Sequence, residues 1–570
     1  MSSLGDRYAM LLTQHLTHDA EEIGRPHQSQ VLRDYVTRQI NVFLWISLIT
    51  ITLLLLRKLA KLFGLWAKGS LIPGPPCPSF YGHSNLISGA SLTDLLSKSH
   101  EKYGPVIKLW LGPTQLLVSM TDPELIKEML LKAVDKFPLT GRAFRLAFGQ
   151  SSLFVSSFDK VQKRRDSLER QLNGKLLERA NIIPAKVADC VMERIQDIMA
   201  KGNFDCKIIS QHLAFTILGA SLFGDTFLSW SKATVYEDLL MMIAKDACFW
   251  ASYSVTPFWK RGFWRYQYLC TKLKCLTQDI IQQCRQNYEL FTQVDQIPRN
   301  VGREAASGAP PSSVNAMPNN LFLQQLDDHP DTGESCGNIT SVMFHGCLTT
   351  AGLIGNMLAR LVAHPELQDK IYSEIVMVRN ESKQQDQQAV DQMLLLLATV
   401  YESARLLPAG PLLQRCSLNH DLNLKTGVTI PAGAMLVVPI QLVQTDNSSW
   451  GADAGQFNPF RFLSKAKNGL TLSTEEQMDG ARSSYVLNEP NESSAFLPFG
   501  SGTRACIGQK FAILGVAKLF ASLLEHYEIR LLPGFENDPK PIMNNCVLQL
   551  LPSPKIIFVK RSSVCTNKEV

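Results

Sequence analysis

The sequence has no C-x-x-C pair, no G-x-G-x-x-G after a strand-like run and no long block of one charge. Each absence excludes something. Thirteen cysteines, an odd number scattered along the chain, form neither a zinc-site spacing nor the framework of a disulfide-stapled secreted domain, and they fit a reducing cytosolic setting. Without the glycine fingerprint the chain carries no dinucleotide-binding segment of its own. The net charge of +6, from 57 basic and 51 acidic residues, has no basic run or nucleic-acid motif behind it, so nucleic acid is not an expected partner. At 570 residues there is ample chain for a large core.

A long apolar run is present near the start. Residues 40–56 are almost entirely apolar, and crossing a bilayer takes about 20 such residues. The run starts late for a signal peptide and has no small-residue cleavage site behind it. It reads as a membrane anchor, with a buried core helix as the other reading. Arg57, Lys58, Lys61 and Lys68 follow with no acid among them, whereas residues 1–39 hold four arginines against five acids. By the positive-inside rule this places the bulk of the chain in the cytoplasm. Pro73-Gly74-Pro75-Pro76 then makes a stiff extended connector. The expected organisation is an N-terminal extension at 1–39 on the lumenal side, an anchor at 40–56, a basic and proline-rich linker at 57–76, a catalytic domain at 77–560 and a tail at 561–570.

The stretch that organises the rest is Phe499-Gly500-Ser501-Gly502-Thr503-Arg504-Ala505-Cys506-Ile507-Gly508, which sets one cysteine in a glycine-rich turn ahead of an apolar helix. A thiolate held in such a turn can ligate haem iron, with flanking backbone N–H groups tempering its charge; a buried structural cysteine is the plainer alternative. Phe499, Gly502, Arg504, Cys506 and Gly508 match F-x-x-G-x-R-x-C-x-G, and by this motif the chain resembles the cytochrome P450 family. The resemblance implies a mainly α fold with small β-sheets behind an N-terminal transmembrane helix, haem b ligated by Cys506, Arg504 on a haem propionate and Phe499 packed beneath the ring.

Other segments keep the same order and spacing as the family. Residues 94–103 read as a helix, Val106–Met120 as a two-stranded hairpin, and Thr121-Asp122-Pro123-Glu124 as the capped start of another helix. Residues 339–364 form a long apolar helix. Within it Phe344-His345-Gly346-Cys347-Leu348-Thr349-Thr350 resembles A-G-x-(D/E)-T-T, and the thirteen residues between Thr350 and His364-Pro365-Glu366 fix that register. Thr349 then falls on the oxygen-handling threonine, with Thr350 beside it; a hydroxyl bonded back to the preceding turn is the alternative. Leu348 replaces the usual acid, and His345 replaces a small residue one turn before Thr349. His345 is expected either to share the proton relay, to ligate the iron from the distal side, or to be a hydrogen-bonded core histidine.

Glu402 and Arg405 lie three apart on one helical face. With Trp450-Gly451-Ala452-Asp453-Ala454 and Phe457-Asn458-Pro459-Phe460-Arg461-Phe462 behind them they resemble the family's E-x-x-R and P-E-R-F motifs, which implies a buried Glu402–Arg405–Arg461 network. Phe460 stands where an acid is usual. Of the family's tryptophan and arginine on an earlier helix, Val161 replaces the first and Arg165 keeps the second, so Arg165 is expected on a propionate; a solvated basic face is the alternative. From Phe249 to Tyr268 large aromatics alternate with Lys260, Arg261 and Arg265, reading either as a membrane-dipping loop over the substrate entrance or as core. Residues 296–320 and 464–493 are polar insertions.

The implied function is a monooxygenase of the endoplasmic reticulum membrane that inserts one atom of O2 into a lipophilic small molecule. A partner flavoprotein reductase supplies the electrons, NADPH enters only through it, and Lys510 and Lys518 are candidates for its docking. Two other readings stay open: a reductase-independent haem-thiolate isomerase or dehydratase, motivated by Leu348, and a non-catalytic haem-binding sensor, motivated by His345.

Overall fold

The computed structural model describes residues 3–77, 79–83, 92–136, 138–149, 153, 157–172, 184–200, 202, 204–251, 257–295, 332–381, 389–410, 412–465, 485–490, 494–535, 542–544, 549–551 and 553–561. The insertion at 296–320, most of that at 464–493 and nearly all of the tail from 561 lie outside these residues. The chain divides into two units, Met1–Leu71 and Ile72–Val570.

The first unit is one helix, α1 (Ser3–Ser70). Its segment Val31–Ser70 contains an 18-residue window of mean hydropathy 2.1, none of it buried in protein. Among the described residues two other helices are long and apolar enough to cross a membrane, Cys206–Phe223 and Cys336–Ala363, but 72% and 61% of their windows are buried. A helix apolar on all sides needs an apolar surrounding. Those two find it inside the protein, whereas α1 is the helix suited to lipid. Arg57, Lys58, Lys61 and Lys68 belong to its last turns, and extended chain starts past Ser70, through Pro73–Pro76.

The second unit is mainly helical with small sheets. Strands β1 (Val106–Trp110) and β2 (Leu116–Met120) form the expected hairpin, pairing from Val106 with Met120 to Trp110 with Leu116. The helix before it spans Leu92–Tyr103. After it comes α2 (Pro123–Lys132), where Asp122 caps by accepting the Leu125 N–H at 2.8 Å and Pro123 fills the first helical position. Strands β3 (Leu412–Arg415) and β4 (Met435–Pro439) complete a four-stranded sheet in the order β1-β2-β4-β3, with β2 and β4 parallel.

Helices α3 (Pro138–Phe148), α4 (Gln162–Gln171), α5 (Cys206–Phe223), α6 (Ala233–Ala251), α7 (Arg261–Asp295), α8 (Thr332–Ala363), α9 (Leu394–Leu406) and α10 (Gln509–His526) carry the core. Their apolar side chains form two main clusters, and α8 contributes to both. Ile354 and Leu358 pack with Leu396, Val400, Phe520 and Leu524. Met343, Phe344 and Cys347 pack with Phe215, Phe223, Tyr236 and Tyr266. A buried hydroxyl chain ties α6 and α7 to α8: Tyr236 Oη meets Thr277 Oγ1 at 2.9 Å, and Thr340 Oγ1 donates to Thr277 Oγ1 at 3.2 Å. With its polar partners matched, the chain fixes the register of three apolar helices that could otherwise slide.

The aromatic segment divides between the two expectations. Trp250, Phe263 and Tyr266 are buried, while Phe249, Phe258, Trp259, Trp264 and Tyr268 are exposed beside exposed Lys260, Arg261 and Arg265. The helical period explains the split: Phe263 and Tyr266 turn inward to the same cluster as Phe344, and Trp264 and Tyr268, four apart, share the outer face.

Close packing around Phe227 gives a direct check. A Cβ on Gly219 would lie 2.0 Å from the Phe227 ring, which is itself held against Phe215 and Phe223. Gly219→Ala should lower stability by about 1–3 kcal/mol, the usual cost of overpacking, read as a lower denaturant midpoint at unchanged slope.

Candidate active site

Three backbone features shape the cysteine loop. Gly502 adopts φ 70°, and a Cβ there would meet the Leu130 carbonyl oxygen at 2.7 Å, so the turn presses against α2 at a point only glycine fits. The Cys506 N–H donates to the Phe499 carbonyl at 2.8 Å, closing the loop. Gly508 caps α10, and its backbone N–H reaches the Cys506 sulfur. Phe499 packs against the larger core cluster.

Cys506 is enclosed by protein, yet its surface is open, which places it on the wall of an internal cavity. Burial pushes its thiol upward in pKa, against the Gly508 N–H and the cations Arg165 and Lys136, which favour the thiolate. The neighbour Ile507 packs against the cluster that contains Phe344 and Cys347 of α8.

The rim of this cavity is cationic. Arg504 is almost fully buried, its Nε donates to the Val134 carbonyl at 2.9 Å, and its guanidinium lies over the Phe158 ring. Arg165 donates from Nη2 to the Ala505 carbonyl at 2.7 Å. Two further cations were not picked out by sequence motif. Arg415, the last residue of β3, donates from Nη2 to the Arg504 carbonyl at 3.3 Å and has no acceptor for its buried Nε. Lys136, just before α3, is enclosed within electrostatic range of Arg415, Arg504, Arg165 and Cys506. Burial, and then mutual repulsion, push Arg415 and Arg504 each down to about 10 and Lys136 well below its ordinary value. Asp135 is the acid that stands near Arg504. Four gathered cations, one with an orphaned donor, beside a cavity walled by a thiol are the donor set for an iron porphyrin bearing carboxylates. The residues fit haem.

On α8 the Thr349 side chain is open to space and its hydroxyl donates to the His345 carbonyl at 2.7 Å, the back-bonded geometry named above as the alternative. Thr350 follows, half-buried. Leu348 turns into the apolar cluster. His345 is half-buried as a residue with its ring Nε2 buried, and its ring meets Phe344 and Phe148 edge-on at 5.1 and 6.5 Å between centroids. Burial first and nearby Lys136 second push its pKa well down.

Behind the cysteine loop lies the expected network. Arg405 grips Glu402 with two bonds, Nε to Oε2 at 2.7 Å and Nη2 to Oε1 at 2.8 Å, both side chains being fully buried. Arg461 Nε donates to the same Oε1 at 3.1 Å, as does the Asn458 N–H at 2.9 Å. Arg405 Nη1 also donates to the carbonyls of Gln444 and Ala454, and Arg461 Nη2 to Asp453 Oδ2 at 3.0 Å. Gln444, which no motif marked, carries the connection forward. Its Nε2 donates to the Arg405 carbonyl at 2.6 Å and its Oε1 accepts from the Leu497 N–H at 3.0 Å, two residues before Phe499. Phe460 faces outward, with the Lys370 ammonium over its ring, so the missing acid leaves the buried network intact.

A cleft of about 800 Å³ opens beside the cysteine loop, lined by Phe499, Cys506, Lys510, Glu169, Asp391 and Glu489 among others. Lys518 is half-buried near Asp391, its pKa pushed down to about 8 by burial. Lys510 remains exposed.

A helical fold around a cavity with one cysteine on its wall and a cationic rim defines a haem-thiolate protein. The profile of the family described as "Cytochrome P450" matches residues 72–559. Cytochrome P450 72A397 of Kalopanax septemlobus is 24% identical over 462 residues, covering 78% of this chain and 79% of that protein. The 11-oxo-beta-amyrin 30-oxidase of Glycyrrhiza uralensis is 25% identical, covering 79% and 80%. A protein of Drosophila melanogaster named probable cytochrome P450 313a4 is 23% identical, covering 82% and 89%. The chain belongs to the cytochrome P450 family, whose chemistry is haem-thiolate monooxygenation.

Removing Glu402 would leave the fully buried Arg405 without a carboxylate and Arg461 with Asp453 alone, a loss of about 3–5 kcal/mol. Glu402→Ala should therefore fail to retain haem, measured as haem per polypeptide after purification. A variant that keeps its full complement would show that the network does not hold the loop.

Proposed function

We propose that this protein is a membrane-anchored monooxygenase of the endoplasmic reticulum, its catalytic unit in the cytoplasm. In this reading it inserts one oxygen atom into lipophilic small molecules with electrons from a separate flavoprotein reductase. The observation that carries this is the cavity-facing Cys506 with four cations gathered at the same cavity. Haem b bound there supplies oxygen activation at an iron ligated by the Cys506 thiolate.

The chain's own residues then divide the work. Gly502 sets the tight loop, and the Gly508 N–H moderates the basicity of the sulfur. Lys136, Arg165, Arg415 and Arg504 anchor the carboxylates of the cofactor. Thr349 presents its oxygen to the cavity as an acceptor, since its hydrogen is given to His345. Thr350 flanks it on α8. Glu402, Arg405 and Arg461, through Gln444, hold the loop rather than touch the reaction.

Lipophilic substrates and membrane lipid are supported by α1 and by the exposed aromatics Phe258, Trp259, Trp264 and Tyr268 interleaved with cations, a combination suited to the headgroup layer. NADPH would act only through the reductase, because the sequence has no fingerprint for binding it directly. Lys510 at the cleft beside Cys506 is a docking contact for that reductase. One relative is named for oxidising 11-oxo-beta-amyrin, and at 25% identity it supports the reaction class rather than a substrate.

Reduced protein treated with carbon monoxide should give the shifted Soret band of a thiolate-ligated iron, and Cys506→Ser should lose it. With reductase and NADPH, product should carry one atom from labelled O2. Product formed from a hydroperoxide with no reductase would instead favour the isomerase reading. Topology has its own check: Asn380 and Asn447, the first residues of N-x-S sequons, are exposed, whereas Asn338 is buried. Full-length protein made in microsomes should stay unglycosylated at Asn380 and Asn447, and glycan at either would place the domain in the lumen.

A further inference from the structure

Asp135 is a carboxylate that the haem-binding role above leaves unused, and it lies where the segments of the cation rim are joined. Its backbone is bridged to Cys416: the Asp135 N–H donates to the Cys416 carbonyl at 3.2 Å, and the Cys416 N–H donates to the Asp135 carbonyl at 2.9 Å. Arg415 immediately precedes Cys416, so this bridge ties the segment that bears Lys136 to the end of β3. Arg504 is held by the same region from two sides. Its Nε donates to the Val134 carbonyl at 2.9 Å, and its guanidinium lies 5.0 Å from the centre of the Phe158 ring. Phe158 in turn donates its backbone N–H to Asp135 Oδ1 at 3.1 Å, which sets the carboxylate against the residue on which Arg504 rests. The buried Cys416 thiol lies within electrostatic range of Asp135, Arg504 and Arg415 together. Glu169 and Asp166 act on Arg165 from its own helix, α4, whereas the carboxylate acting on Arg504 is that of Asp135.

We infer that Asp135 is a resident counter-ion of the cofactor rim: a positioning residue that shares Arg504 with a haem carboxylate, weakens the grip on haem and holds the reduction potential of the iron down. The inference rests on the haem-thiolate reading above. A fixed negative charge beside one of the rim cations lowers the positive field that a bound carboxylate feels. Reduction adds an electron to the iron, so the same negative charge opposes it. The two things the Asp135 side chain does are separable: an amide oxygen would still accept the Phe158 N–H but would carry no charge.

The test uses full-length holoprotein. Asp135→Asn keeps the acceptor and removes the charge. It should raise the ferric–ferrous midpoint potential and slow the transfer of haem to apomyoglobin roughly tenfold, the order of one unit charge acting over about 10 Å at an effective dielectric of about 20. Asp135→Ser, neutral with a smaller acceptor, should do the same, and Asp135→Glu, which keeps the charge, should stay near the parent in both readouts. A residue that only held the Phe158 backbone would leave the potential unmoved in Asp135→Asn. An unchanged or lowered potential, with the thiolate band intact, overturns the inference and leaves the family reading standing. So does faster haem loss from both neutral variants, or their failure to load haem, because the inference has them hold it more tightly. Absence of the thiolate band in the unchanged protein would instead remove the haem-thiolate reading, and the inference with it.

Discussion

One buried carboxylate holds the catalytic unit in working order. Glu402 is fully buried and takes hydrogen bonds from Arg405, Arg461 and the Asn458 backbone. A charge buried this deeply is tolerable only while every partner stays in place. That requirement converts one residue on α9 into a constraint on segments far away in sequence: the turn at Trp450–Ala454, the short helical turn Pro459–Phe462 and, through Gln444, the strand end and the backbone at Leu497. The cysteine loop inherits its position from this lattice. Its own contacts with α2, through Gly502, and with Arg165, through the Ala505 carbonyl, then fix it from the other side.

The rest of the fold serves to bring α8 across that loop. A helix with apolar residues on nearly all faces has no preferred rotation about its axis. The matched hydroxyls Tyr236, Thr277 and Thr340 supply one by allowing a single register in which all are bonded. With the rotation set, the Thr349 side chain is left open and Leu348 takes the apolar side. The substitution of leucine for an acid is therefore accommodated by packing.

Elements with a strong local signal were legible in the sequence. The hairpin β1–β2 shows its alternation around a Gly-Pro turn, α2 announces itself by Asp122 and Pro123, and the order of the Cys506, Glu402 and Arg461 motifs carried the family. What could not be read is what depends on convergence. Lys136 and Arg415 sit in unremarkable local sequence, and their importance comes from meeting Arg165 and Arg504 across the fold. Gln444 is an ordinary glutamine until its two ends are seen to join Arg405 to Leu497. The one available signal for Arg415 was a lone arginine closing an otherwise uncharged strand. The aromatic segment was ambiguous because helical period, not composition, decides which rings face the core.

The four cations around the cavity have a bearing on how the polypeptide lives in a cell. Gathered there they repel one another, offset in part by Asp135 near Arg504 and by Glu169 and Asp166 near Arg165, and the repulsion acts on the segments that bear them: the approach to α3, α4, the end of β3 and the cysteine loop. A dianionic cofactor binds the folded form and relieves that repulsion, so its concentration enters the folding equilibrium as a mass-action variable. The abundance of this protein is then set partly by the supply of haem, through conformational stability, before any turnover takes place.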